Sequence, residues 1–264
     1  MKSKNGDIRI CASRRSSGVR AGGLWQRLAA RYSISYGGVY KSMIAAAILG
    51  LVPVSTRAQQ LTQSYNGGFA NGSTVPDGNL TGWWDTETIT SQPGSTISNV
   101  NISISLAGGS TGDLFIYVVH DGTLAVLANR PGVTAGNPFG YSDSSLNVVF
   151  SDAGADDFHN YQSVPGYSIT GGAVWQPDGR DISPLSAASV FDTTPRQNSG
   201  QALSLFDGES VDGTWTIFIA DTVSGGGDEQ VQNWGLNVTE TPEPGTISLL
   251  VIGLTGVLLG RRKR

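Results

Sequence analysis

Along residues 95–106, STISNVNISISL, apolar side chains settle onto every second position. Ile102, Ile104 and Leu106 alternate with Asn101, Ser103 and Ser105. A period of two marks a half-buried strand. In GDLFIYVVHDGT, Leu114, Ile116 and Val118 share one face, and Phe115, Tyr117 and Val119 the other. Apolar side chains on both faces predict a central strand covered on both sides. Asp121-Gly122 predicts a tight turn into LAVLANR, and so a hairpin. SSLNVVFSD predicts a further strand. GTWTIFIAD sets Trp215, Ile217 and Ile219 on one face, and VQNWGLNVT does the same with Trp234, Leu236 and Val238. No amphipathic helix and no internal repeat stands out. The stretch Ala153–Ala202, rich in Pro, Gly and Ser, predicts loop with one or two irregular strands. Short strands spaced by Gly and Asp turns together predict an all-β antiparallel sandwich.

Composition agrees: 36 Gly and 11 Pro among 264 residues, with only 14% charged, suit turns better than helices. Charge then divides the chain. Fourteen of the 17 Lys and Arg lie in residues 1–58 and 261–264, leaving Arg130, Arg180 and Arg196 against 20 acids in residues 59–260. A body with a net charge of about -17 repels nucleic acid and anionic lipid and attracts cations. Cys11 is the only cysteine. It precedes the expected cleavage site, so the body has neither disulfide nor thiol chemistry.

Both ends read as addresses. Residues 1–58 form a basic leader closing in SMIAAAILGLVPVSTRA, a secretory signal with signal-peptidase cleavage expected after Ala58. Residues 59–74 are expected to be a flexible leader. At the other end, residues 241–264 run from Pro242, Glu243 and Pro244 through an apolar stretch, Thr246–Gly260, to Arg261, Arg262, Lys263 and Arg264. Fifteen residues make about 22 Å of helix, short of a hydrocarbon core of about 30 Å. Pro-Glu-Pro, short apolar segment and basic cluster, in that order, resemble the PEP-CTERM sorting signal of Gram-negative bacteria. That resemblance implies an exosortase-type sorting enzyme as partner, membrane contact through the tail alone, and delivery to the cell envelope, outer surface or extracellular matrix.

Within residues 75–240 the pieces VPDGN, GDLFIYVVHDGTLAVLANRPG and SLFDGESVDGTWTIFIADTVSGGGDEQVQNWGLNVT stand in order. They resemble the P domain, or Homo B domain, of subtilisin-like proprotein convertases. The resemblance implies a jelly-roll-like sandwich of about eight strands that packs on a protease and does not itself cut peptide bonds. Trp215 and Trp234 fall at the family's core tryptophans, and Asp113 and Asp221 at strand boundaries, where a carboxylate fixes a turn. Asp152–Gln201 departs from the family's spacing.

The candidate chemistry is thin. The body has two histidines, His120 and His159, and nothing like a subtilase nucleophile segment. Gly108–Gly112 fits G-x-S-x-G, but a strand follows it where a nucleophile elbow needs a helix. No catalytic residue is assigned. Asp143, Asp152, Asp156 and Asp157 crowd one acidic stretch, either a solvated loop or a calcium site. Adjacent Trp83 and Trp84 point to opposite faces of a strand, so one is left either to meet a sugar ring or a partner or to cover a sheet edge. The expectation is a non-catalytic binding or structural module, with extracellular polysaccharide or protein as its ligand. The alternative is an accessory to a separately encoded subtilisin-like serine endopeptidase.

Overall fold

The computed structural model describes residues 57–91 and 93–242. The signal segment up to residue 56, Cys11, Glu243, Pro244, the apolar tail and Arg261, Arg262 and Arg264 lie outside the described residues. Pro242 directly follows the last strand.

Among the described residues ten strands form two sheets: β1 (Gln59–Tyr65), β2 (Thr74–Val75), β3 (Trp83–Ile89), β4 (Thr96–Ala107), β5 (Leu114–His120), β6 (Thr123–Asn129), β7 (Leu146–Ser151), β8 (Ala173–Trp175), β9 (Gly213–Asp221) and β10 (Glu229–Thr241). One sheet runs β1-β10-β4-β7-β8, with β2 also on β10. The other runs β3-β9-β5-β6. The all-β sandwich follows as expected, with one parallel pair, β7 and β8, among otherwise antiparallel ladders. The only α-helix among the described residues is a single turn, Ala188–Phe191.

Period two explains the core. Ile102, Ile104 and Leu106 of β4 and Leu236 and Val238 of β10 are buried from one sheet. Ile116 and Val118 of β5 and Trp215, Ile217 and Ile219 of β9 face them from the other. Where the period slips, a bulge resets it. Ser98 drops out of the β4–β10 register, which lets Ile97 and Val100 both face inward although they are three apart. Asp121 and Gly122 both adopt positive φ, 47° and 91°, the backbone that a two-residue hairpin turn between β5 and β6 requires.

Two expectations change. Residues 59–65, read as flexible leader, form edge strand β1, paired with β10 from Gln59↔Glu240 to Tyr65↔Trp234. An edge strand is held by its backbone ladder and needs only an occasional apolar anchor, here Leu61 and Tyr65, so polar composition concealed it. β5 is not covered on both sides. Its inner face is buried, while Phe115, Tyr117 and Val119 are half-buried on the outer face. The segment after β7 lies instead over β6. The N–H groups of Asp178 and Gly179 donate to the Leu127 and Val126 carbonyls at 2.9 and 3.0 Å, and Gln197 Oε1 accepts the Val126 N–H at 2.9 Å.

Candidate functional site

The acids grouped by the sequence do not converge. Asp143 accepts from the Tyr161 hydroxyl at 2.8 Å and from Gln162 Nε2 at 2.6 Å. Asp152 takes the N–H groups of Leu203 and Ser204 at 3.2 and 2.7 Å. Asp157 takes the His159 N–H at 2.9 Å and pairs with Arg180 at 3.0 Å, while Asp156 is exposed. Asp143 and Asp157 bond different residues of the Phe158–Ser163 turn while Asp152 bonds Leu203 and Ser204, so adjacency in sequence made no shared pocket. Among the described residues no group of three or more His, Cys, Asp or Glu side chains stands ready-made for a metal ion.

The histidines are structural in their surroundings. His120, at the end of β5, is wholly buried and stacks on Trp215 with ring centroids 4.0 Å apart. Its Nδ1 and Nε2 meet the carbonyls of Thr214 and Ser210 at 3.0 and 2.7 Å. His159 meets Asp178 at 2.8 Å and the Val133 carbonyl at 3.0 Å. All four ring nitrogens face oxygen acceptors, and none faces a serine hydroxyl. Asp178 is fully buried, and its carboxyl is held below the usual range. The cost of burial is overcome by the His159 bond and by the charges of His159 and Arg180. This network fixes the 153–202 segment onto β6.

The exposed chemistry lies on the outer face of the four-stranded sheet. Trp83 is buried, whereas Trp84 next to it is 48% exposed. Across the ladder Trp84 pairs with Phe218 of β9, and Phe218 pairs with Tyr117 of β5. The Tyr117 and Phe218 rings stack at 4.7 Å and 15°, and Phe115 lies 5.4 Å from Tyr117. Three neighbouring strands therefore place aromatic rings in one row. At its edge, Thr86 and Thr216 share a hydroxyl hydrogen bond of 2.9 Å. Gly82, at φ 59°, makes room for the row: a Cβ there would fall 2.5 Å from Phe218 Cζ. The sequence pointed to one of Trp83 and Trp84 without saying which, took Phe115 and Tyr117 as covered and did not connect Phe218. The signal was present as aromatics at alternate positions on strands that pair.

Trp215 and Trp234 are fully buried, and Asp221 Oδ1 accepts the Val223 N–H at 3.0 Å. At Asp113 the backbone makes the bonds. Its N–H donates to Ser110 at 3.1 Å and its carbonyl accepts from Thr222 N–H at 2.8 Å. Its carboxyl is pushed up to about 6, chiefly by burial.

No family model matches the chain, and no curated protein matches it. Similar solved structures include two crystal structures. The serine protease of Aeromonas sobria is 17% identical, covering 69% of this chain with a TM-score of 0.38. The complex of that protease with the chaperone ORF2 gives 16%, 70% and 0.39. This chain spans 27% of the length of the chain it matches in each. Among the described residues no helix is long and apolar enough to cross a membrane.

Proposed function

We propose that this chain is a non-catalytic binding module of the P-domain kind, exported and displayed at the surface of a Gram-negative cell through its PEP-CTERM tail. The observation that carries the binding role is the aromatic row Trp84–Phe218–Tyr117, with Trp84 half exposed and Phe218 and Tyr117 partly exposed beside it on one sheet face. Flat rings beside hydroxyls suit a surface that is apolar on its faces and polar at its rim, which is what a sugar ring offers. The acidic body repels acidic polymers, so the ligand class is an uncharged extracellular polysaccharide. The test is retardation of the protein in gels containing neutral polysaccharides. Wild type should be retarded, and Trp84→Ala should lose at least about tenfold in affinity with its melting curve unchanged, because a half-exposed side chain contributes little to stability. Equal retardation of both, or none, overturns the reading.

A second reading has its own support in the VPDGN, GDL and GTW pieces of the sequence. In it the same apolar face packs on a separately encoded subtilisin-like serine endopeptidase. Immobilised protein passed over secreted and envelope extract, with the eluate assayed for proteolysis, separates the two. A retained protease that Trp84→Ala fails to hold favours the accessory role. Inhibitor-sensitive peptide hydrolysis by the pure protein would sink both readings.

A further inference from the structure

At one end of the sandwich the Val75–Gly78 segment, the Gly108–Asp113 turn and the Asp221–Glu229 connection meet. Asp221 and Glu229 are each 1% exposed. Glu229 Oε1 accepts the Ser110 N–H at 3.2 Å, but its Oε2 is buried with no hydrogen-bond partner. The carboxylate beside it is Asp221, another acceptor, and Asp221 also touches Asp77. Both oxygens of Asp77 share the single N–H of Gly225, at 2.9 and 3.2 Å. The Asp113 carboxyl closes the group from below the Gly225–Gly227 loop. A Cβ on Gly226 would lie 3.5 Å from its Oδ2.

Among the described residues the guanidinium that acts on the group is Arg130, and it acts on Asp113. Arg130 Nε and Nη2 already donate to the carbonyls of Gly112 and Pro138 at 3.3 and 3.4 Å. Asp221 and Glu229, in contact, out of water and without a donor between them, cannot both remain as bare carboxylates, and the exposed Asp77 carboxylate at their edge adds to the charge. They need a cation: a proton or a metal ion.

We propose that Asp77, Asp221 and Glu229, with Asp113 beside them, bind one hard divalent cation of the calcium class. The donor set is oxygen only, which excludes a zinc-type centre and suits an ion that accepts carboxylates, backbone carbonyls and water in irregular number. The side chains do not yet stand at metal-holding geometry. The ion is expected to draw Glu229 Oε2 and the Asp77 carboxylate inward by side-chain rotation. The site is independent of whatever occupies the aromatic face, and it is not the Asp143–Asp157 loop.

The test is calorimetric titration of calcium into the chelator-treated protein, with thermal melts in chelator and in millimolar calcium. One ion per chain and a rise in melting temperature of about 5–10 °C are expected, because a ligand that binds only the folded state stabilises it. Glu229→Gln keeps the shape and removes one charge. In chelator it should melt at or above wild type, and in calcium it should gain less than about 2 °C with at least about tenfold weaker binding. Asp77→Asn, on the more exposed side of the group, should weaken binding in the same way. Asp143→Asn should leave the response intact. A melt that changes with pH but not with calcium would show that a shared proton neutralises the group, and would overturn the proposal. So would an unchanged calcium response in Glu229→Gln.

Discussion

Asp85 of β3 points into the apolar layer between the sheets, where its Oδ2 accepts a 2.7 Å hydrogen bond from the indole Nε1 of Trp234 on β10. Both residues are buried, and the bond joins one sheet to the other. Trp234→Phe keeps an aromatic ring in the core but leaves the Asp85 carboxylate without that donor. A hydrogen bond to a charged group contributes about 1.5–3 kcal/mol. The smaller ring leaves a partial cavity worth about 1 kcal/mol more. The expected loss is therefore about 3 kcal/mol, or about 6–12 °C in melting temperature for a domain of this size. Urea unfolding followed by tryptophan fluorescence measures it as a lower midpoint at constant slope. Asp85→Leu alone strands the indole N–H instead. The double variant Trp234→Phe/Asp85→Leu removes both partners at once, and should recover at least about 1 kcal/mol relative to the sum of the single losses. If Trp234→Phe costs less than about 1 kcal/mol, or if the two changes add, then the bond does not hold the sheets together and this account of it fails.

Further outcomes follow from other parts of the fold. Arg180→Met takes one partner from the fully buried Asp178, which keeps its contacts with His159 and the Asn129 N–H. A loss of about 2 kcal/mol by chemical denaturation is expected, and no loss would mean the pair is dispensable. Gly82→Ala forces a side chain into φ 59° and against the Phe218 ring, so it should cost about 1–3 kcal/mol and weaken polysaccharide retention together. The acidic end sets a pH dependence in chelator. Asp113, pushed up to about 6 by burial first and then by Asp221, keeps its proton when folded beyond the pH at which the unfolded chain releases it. Glu229 does the same, raised by burial and then by the Asp221 charge, as does Asp221, raised chiefly by burial. The folded state thus binds more protons from the ordinary carboxylate range up to neutrality, and stability falls as pH rises through that window. Melts at stepped pH in chelator check this, and a profile that rises towards neutrality would contradict it.

The strands were legible because a sandwich with one face in the core writes period two into the chain. GTWTIFIAD is β9 residue for residue, and the inward positions of β4 and β10 are those the alternation marks. One of Trp83 and Trp84 could be read as free for the same reason, since adjacent residues on a strand must diverge, but only the fold shows that it is Trp84. β1 escaped notice because an edge strand is recruited by backbone bonds, which carry no side-chain signature. The acidic stretch stayed open in the sequence because crowding along the chain says nothing about convergence in space. Asp143, Asp152 and Asp157 are each drawn off by different donors.

What the sequence determined by itself was local: alternation, turn chemistry at Asp121-Gly122 and the acidic excess of the body. Only tertiary structure decided which side chains share a place. Strand pairing lined up Trp84, Phe218 and Tyr117, which are 33 to 134 residues apart in the chain. The meeting of three turns brought Asp77 to Asp221 and Glu229, and left one buried oxygen without a donor. Burial and hydrogen bonding depend on distance in space, and the residues that set them here lie on different strands and turns.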